Sequence, residues 1–284
     1  MTEQERLIGE HPKMPHILGE WLLHTDDPTT LFKKHRKLEE NIGLRGKAID
    51  QISNWIIEHH ITEKKIVTLD RKAQILKKYE FNEFVEDQHL LPTVDKTQKG
   101  NIAEIILIEY LKESMSFTPF IYKLRYNANI EQSMKGDDVL LFNASNVYDK
   151  VIYGESKFRS TPSKQAIEKA ISNLEGSKRL PLSIGFVVNI LYEQGRDVLA
   201  DTLMNLQSLL KDVNFNVHNV GFLLSTKSKT PSQDTHTQVD NYLNTTNSNL
   251  VFVSLGLDNP YEIVKESFKL AKQQLLNIKQ DGTN

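Results

Sequence analysis

Cysteine is absent from this 284-residue chain, which excludes disulfide staples and thiolate-held zinc or iron–sulfur centres and fits a reducing compartment. Long apolar runs are missing too. The longest, around Ile184 to Leu191, suits a buried strand or helix segment and falls far short of the ~20 residues that span a bilayer. The start, Met1-Thr2-Glu3-Gln4-Glu5-Arg6, is charged and has no apolar h-region, so a soluble, cytoplasmic protein with no membrane contact is expected. Neither sign of charge dominates: 35 Lys and Arg face 37 Asp and Glu, a net of −2. Such a chain does not coat nucleic acid nonspecifically by itself, and any phosphate backbone must be gripped by local patches.

Several motifs are absent as well. There is no Gly-x-Gly-x-x-Gly, which argues against a dinucleotide enzyme, and Gly43-Leu44-Arg45-Gly46-Lys47 lacks the first glycine of a phosphate loop. No ATPase is therefore expected in this chain. The nine histidines show no zinc spacing; the rings of His59 and His60 diverge on a helix, and His59 is expected to pack. Ser156 and Ser163 have no histidine nearby for a nucleophilic triad. No internal repeat is found.

What the chain does have is concentrated between Lys135 and Lys157. Lys135-Gly136-Asp137-Asp138 runs into Val139-Leu140-Leu141-Phe142, a turn and an acidic pair entering a buried strand. After Asn143-Ala144-Ser145-Asn146, a second strand rises through Val151-Ile152-Tyr153 to Gly154-Glu155-Ser156-Lys157. Side chains alternate along a strand, so Glu155 and Lys157 share a face and Ser156 points to the other. A hairpin of this kind brings Asp138, Glu155 and Lys157 together. Hard carboxylate oxygens can hold Mg²⁺ or Mn²⁺ against a phosphodiester, and a lysine beside them can orient water or offset transition-state charge. A Glu-x-Lys triplet alone reads equally well as a solvated ion pair; Glu63-Lys64-Lys65 and Asp70-Arg71-Lys72 are such decoys, with no acidic strand before them. Upstream, Ile102, Ile105, Ile106, Leu107 and Leu111 make a wide helical stripe between Thr97 and Met115. Glu104 interrupts it, either as a boundary glutamate paired with a lysine or as a further metal ligand.

The flanking organisation is α/β. Residues 1–95 read as a mainly helical segment of uncertain strand content, with a helix over Ala48–Ile61 and another over Arg71–Tyr79. Thr161-Pro162-Ser163 starts a helix whose apolar face is Ala166, Ile167, Ala170, Ile171 and Leu174. A helix over Asp197–Leu210, strands over Val217–Ser225 and Leu250–Leu255, and a helix over Tyr261–Ile278 complete a mixed sheet flanked by helices. Thr226 to Asn249 reads as a long polar loop anchored at Tyr242-Leu243. Two basic patches stand out. Lys33-Lys34-His35-Arg36-Lys37 reads chiefly as a solvated helix face, whereas Arg159 and Lys164, beside the hairpin, are the better candidates for nucleic acid.

The order of helix with Glu104, strand opening at Asp138, strand ending in Glu155-x-Lys157 and helix from Ser163 resembles the core of the PD-(D/E)xK nuclease superfamily, a restriction-endonuclease-like fold. More narrowly, Lys99-Gly100-Asn101-Ile102-Ala103-Glu104, Lys135-Gly136-Asp137-Asp138 and Gly154-Glu155-Ser156-Lys157 resemble the HamA family of the Hachiman antiphage defence system, over about residues 96–225. The resemblance implies a nuclease domain over residues 96–284, with Asp138, Glu155 and Glu104 as ligands of Mg²⁺ or Mn²⁺ and Lys157 as the catalytic lysine. It also implies a DNA substrate and a superfamily 2 helicase partner, HamB. Asp137 stands where the superfamily has its proline. That leaves Asp137 and Asp138 both as candidate ligands, with Asp138 preferred because it immediately precedes the buried run. The alternative is a noncatalytic DNA-binding or scaffolding subunit of a helicase complex.

Overall fold

The computed structural model describes residues 1–79, 90–132, 138–175, 180–209 and 216–281. Its centre is a six-stranded sheet built from β1 (Leu22–Asp26), β2 (His35–Glu40), β3 (Val139–Phe142), β4 (Val151–Phe158), β5 (Val217–Thr226) and β6 (Leu250–Leu257), in the order β1-β2-β6-β5-β4-β3. Strands β2, β6, β5 and β4 run parallel, and β1 and β3 each close an edge antiparallel. Parallel strands need cover on both faces, which is why β6 is buried at every residue and is apolar but for Ser254 and Gly256. Mixed α/β architecture with helices on both sides is thus as expected. The N-terminal segment, however, is not helical throughout: β1 and β2 join the same sheet. Strand β1 escapes a period-2 reading because only Leu22 of its five residues is buried.

One face is covered by α1 (Glu3–Ile8), α2 (Ile17–Trp21), α3 (Arg45–His60), α5 (Asp95–Met115) and α10 (Pro260–Asp281), whose apolar side chains share one core with Leu38, Ile152, Val220 and Val253. Between α3 and α5 lies α4 (Glu63–Lys78). The other face carries α6 (Lys164–Leu174), α7 (Leu180–Glu193), α8 (Asp197–Leu209) and α9 (Thr235–Tyr242) over Val151, Tyr153, Leu223 and Phe252. Helix α6 begins where Ser163 caps it, its side chain accepting from the Ala166 N–H. Helix α9 lies in the stretch expected to be loop. Asp234 caps it at Thr237 N, Val239 and Leu243 bury into the second core, and the Tyr242 anchor packs there too.

Two glycines make the close layers possible. A Cβ on Gly154 would lie 2.9 Å from Val139 Cβ, and one on Gly221 would lie 2.5 Å from the Phe252 ring. The basic run at 33–37 is neither helical nor solvated. It enters β2, where Arg36 is fully buried and grips Asp26 with two hydrogen bonds (2.7 and 2.9 Å) while Nη1 donates to the Gly9 carbonyl. No helix of the described residues is long and apolar enough to cross a membrane.

Candidate active site

The residues singled out in the hairpin come together at the carboxyl end of β4, the end of a parallel sheet where α/β proteins bind ligands. Strands β3 and β4 form the expected antiparallel pair, Val139 opposite Gly154 and Phe142 opposite Val151. Alternation along β4 then sets the faces. Val151 and Tyr153 enter the core under α6, and Glu155 follows them, accepting from Asn173 Nδ2 of α6 at 2.8 Å. Lys157 lies on the same side and donates to Glu155. Ser156 points the other way, and both its backbone N–H (2.7 Å) and its hydroxyl (3.0 Å) donate to Asp138 Oδ2. Asp138 is therefore fixed at the hairpin mouth. Lys135, Gly136 and the alternative ligand Asp137 lie outside the described residues.

Glu104 arrives from α5, a helix buried continuously from Asn101 to Leu111. A helix apolar on nearly all sides is a central one, and its carboxylates have to find partners. Glu109 does so with His59 (2.7 Å) and Lys112 (2.8 Å), and His59 packs as expected, its ring 4.1 Å from that of Tyr122. Glu104 is less well served. Its Oε2 sits 3.3 Å from Lys123 Nζ, while its Oε1 is buried with no hydrogen-bond partner. Burial pushes the Glu104 carboxyl up to about 8, Lys123 pulling against it and the carboxylates of Asp138 and Glu155 adding to it. Glu155 is raised for the same two reasons, desolvation first and the charge of Asp138 second, with Lys157 opposing.

Three carboxyls crowded at a buried strand end, one with an unsatisfied oxygen, make an all-oxygen donor set that fits a hard divalent cation. The fit is open rather than closed. Among the described residues the single group of three potential ligands with atoms all within 4.8 Å is Asp27, His35 and Asp240, so Glu104, Asp138 and Glu155 stand wider apart. In that tighter group the ammonium of Lys37, 2.7 Å from both aspartates, already fills the middle.

Lys123 and Asn173 were not anticipated as site residues. Lys123 sits in a short 3₁₀ turn, Lys123–Tyr126, which carries no periodic signal; Asn173 lies beside the apolar stripe of a helix that was foreseen. Of the two basic residues near the hairpin, Arg159 donates to the Phe158 carbonyl, and Lys164 is exposed, 3.6 Å from Glu168 and over the Tyr242 ring.

Fold and site together define a mixed α/β protein with an acidic, lysine-bearing centre at the end of an edge hairpin. The chain belongs to the HamA family, whose model matches residues 15–271. It is 42% identical over 276 residues to a Bacillus cereus protein named "Hachiman protein HamA", covering 97% of this chain and 98% of that one. The likeness thus reaches well beyond the motif-bearing stretch, into both β1–β2 and the C-terminal helix.

Proposed function

We propose that this chain is the nuclease of a Hachiman antiphage defence complex, a PD-(D/E)xK-type deoxyribonuclease that uses Mg²⁺ or Mn²⁺ and works under a superfamily 2 helicase, HamB. The observation that carries the reading is the convergence of Glu104, Asp138, Glu155 and Lys157 on one strand end, with a buried carboxylate oxygen left without a partner. The order of α5, the β3–β4 hairpin, α6 and parallel β5 supports a restriction-endonuclease-like core.

Asp138, Glu155 and Glu104 would hold the ion, which when bound lowers the pKa of water and neutralises phosphoryl oxygens. The chain's own residues do the positioning. Ser156 fixes the Asp138 carboxylate through two hydrogen bonds, and Asn173 fixes that of Glu155. Lys157, held on the Glu155 side, places an ammonium where charge grows on the phosphoryl oxygens, the kind of aimed charge that contributes most to such reactions. Arg159 and Lys164 flank this edge and would contact the DNA backbone. The sequence carries no phosphate loop of its own, so in this reading strand separation falls to the helicase.

The test is plasmid cleavage by the purified protein in Mg²⁺ or Mn²⁺, with and without the helicase and ATP, comparing wild type with Glu155→Ala. Metal-dependent cutting lost in the variant is the expected result. Absence of cutting in every combination would shift the assignment to a noncatalytic DNA-binding or scaffolding subunit.

A further inference from the structure

Lys123 has no place in the metal-dependent reading, yet it makes the cluster's only link between Glu104 and Asp138 among the described ion pairs, 3.3 Å from one and 3.8 Å from the other. The turn that carries it is clamped from behind. Tyr122 donates to Glu58 at 2.9 Å and accepts from Lys112 at 2.7 Å. Arg125 donates to the Glu58 carbonyl at 2.8 Å and stacks over the Tyr122 ring. Leu124 is buried in the core. The backbone at 123 is thus pinned to α3, and the side chain, 15% exposed, is the part able to leave.

We infer that Lys123 is a resident counter-cation: its ammonium occupies the seat between Glu104 and Asp138 and yields it when a divalent ion enters. With all three carboxyls ionised, as ligation of a divalent ion requires, the two lysines leave the cluster one charge short of neutral. Moving the Lys123 ammonium out leaves it two charges short, matched to a divalent ion, with Asp138 still held by Ser156 and Glu155 by Asn173. Lys123 is therefore a positioning residue that keeps the ligands gathered and sets how much free metal the site needs. Release of its side chain toward the open edge would also add a cation to the face that meets phosphate. The inference rests on the metal-dependent reading above.

The test measures Mn²⁺ binding by water-proton relaxation on the full chain without DNA, for wild type, Lys123→Met, Lys123→Gln and Lys123→Arg, each checked for a cooperative melt. Replacing a competing charge should tighten Mn²⁺ about tenfold to a hundredfold in the Met and Gln variants, the span typical of coupling between two sites. Lys123→Arg, which keeps the charge, should stay within about threefold of wild type, a contrast that lost packing alone would not produce. Adding Asp138→Asn should abolish binding in every background. Unchanged or weaker Mn²⁺ binding in both neutral variants, with wild type binding normally, overturns the role of Lys123 and leaves the metal site standing. Failure of wild type and neutral variants alike to bind Mn²⁺ overturns both.

Discussion

Glu104→Gln should change how the metal-free protein responds to pH. The folded carboxyl is raised to about 8 from an ordinary value of 4.5, first because it is desolvated and then because Asp138 and Glu155 lie near. A carboxyl raised in the folded state holds its proton there after the unfolded chain has released it. Its stabilising contribution is therefore complete below about pH 4.5 and is lost as pH rises through about 8. At about 1.4 kcal/mol per pH unit, wild type should lose about 4 kcal/mol between pH 5 and pH 8 relative to a variant with nothing to titrate. Every other ionisable group is common to both proteins, so the difference isolates Glu104. Urea unfolding in EDTA at pH 5, 6, 7 and 8 reads it directly. The variant should be comparatively more stable at pH 8, and saturating Mn²⁺ should stabilise wild type more at pH 8 than at pH 6. Parallel stability curves, within about 0.5 kcal/mol across the range, would refute the account of Glu104 as a buried, poorly paired acid.

Other sites give independent expectations. Lys157→Ala should lower plasmid cleavage by about 10²- to 10³-fold, as when one aimed charge-stabilising group is lost, while Mn²⁺ binding by relaxation persists. Arg36→Met strands the Asp26 carboxylate among β1, β2 and α1 and should cost about 3–5 kcal/mol of unfolding free energy, measured in denaturant. Gly221→Ala drives a methyl to within 2.5 Å of the enclosed Phe252 ring and should cost about 1–3 kcal/mol by overpacking, read as a lowered Tm.

The legible parts of the fold were those in which burial leaves a pattern. Strands β4, β5 and β6, packed on both faces, write themselves as Val151-Ile152-Tyr153, Val220 to Leu224 and Leu250 to Leu255, and α5, nearly all interior, as a broad stripe. The acids and lysine of the hairpin could be placed because a strand's two-residue period and a short turn leave few arrangements. Three features stayed hidden for physical reasons. Strand β1 is an exposed edge with no alternation to show. Helix α9 is eight residues long and its other buried residues, Thr235 and His236, are polar, so Val239 and the following Leu243 leave no apolar stripe to read. Lys123 acts through a contact with residues 19 and 15 positions away, on a turn whose local sequence says nothing of either.

The burial of β2 has a consequence for how a polyanion would feel this molecule. Nucleic-acid affinity falls with salt roughly in proportion to the number of phosphates a protein neutralises, since each contact frees a condensed counterion. Lys34, His35 and Arg36 are buried, Lys37 is spent on Asp27 and Asp240, and Lys33 donates to the Asp240 carbonyl. The densest basic run of the chain therefore offers few free charges to a phosphate backbone. If the proposed function holds, the isolated protein should show a shallow salt dependence set by the hairpin edge, and most of the ionic grip on DNA would come from a partner chain.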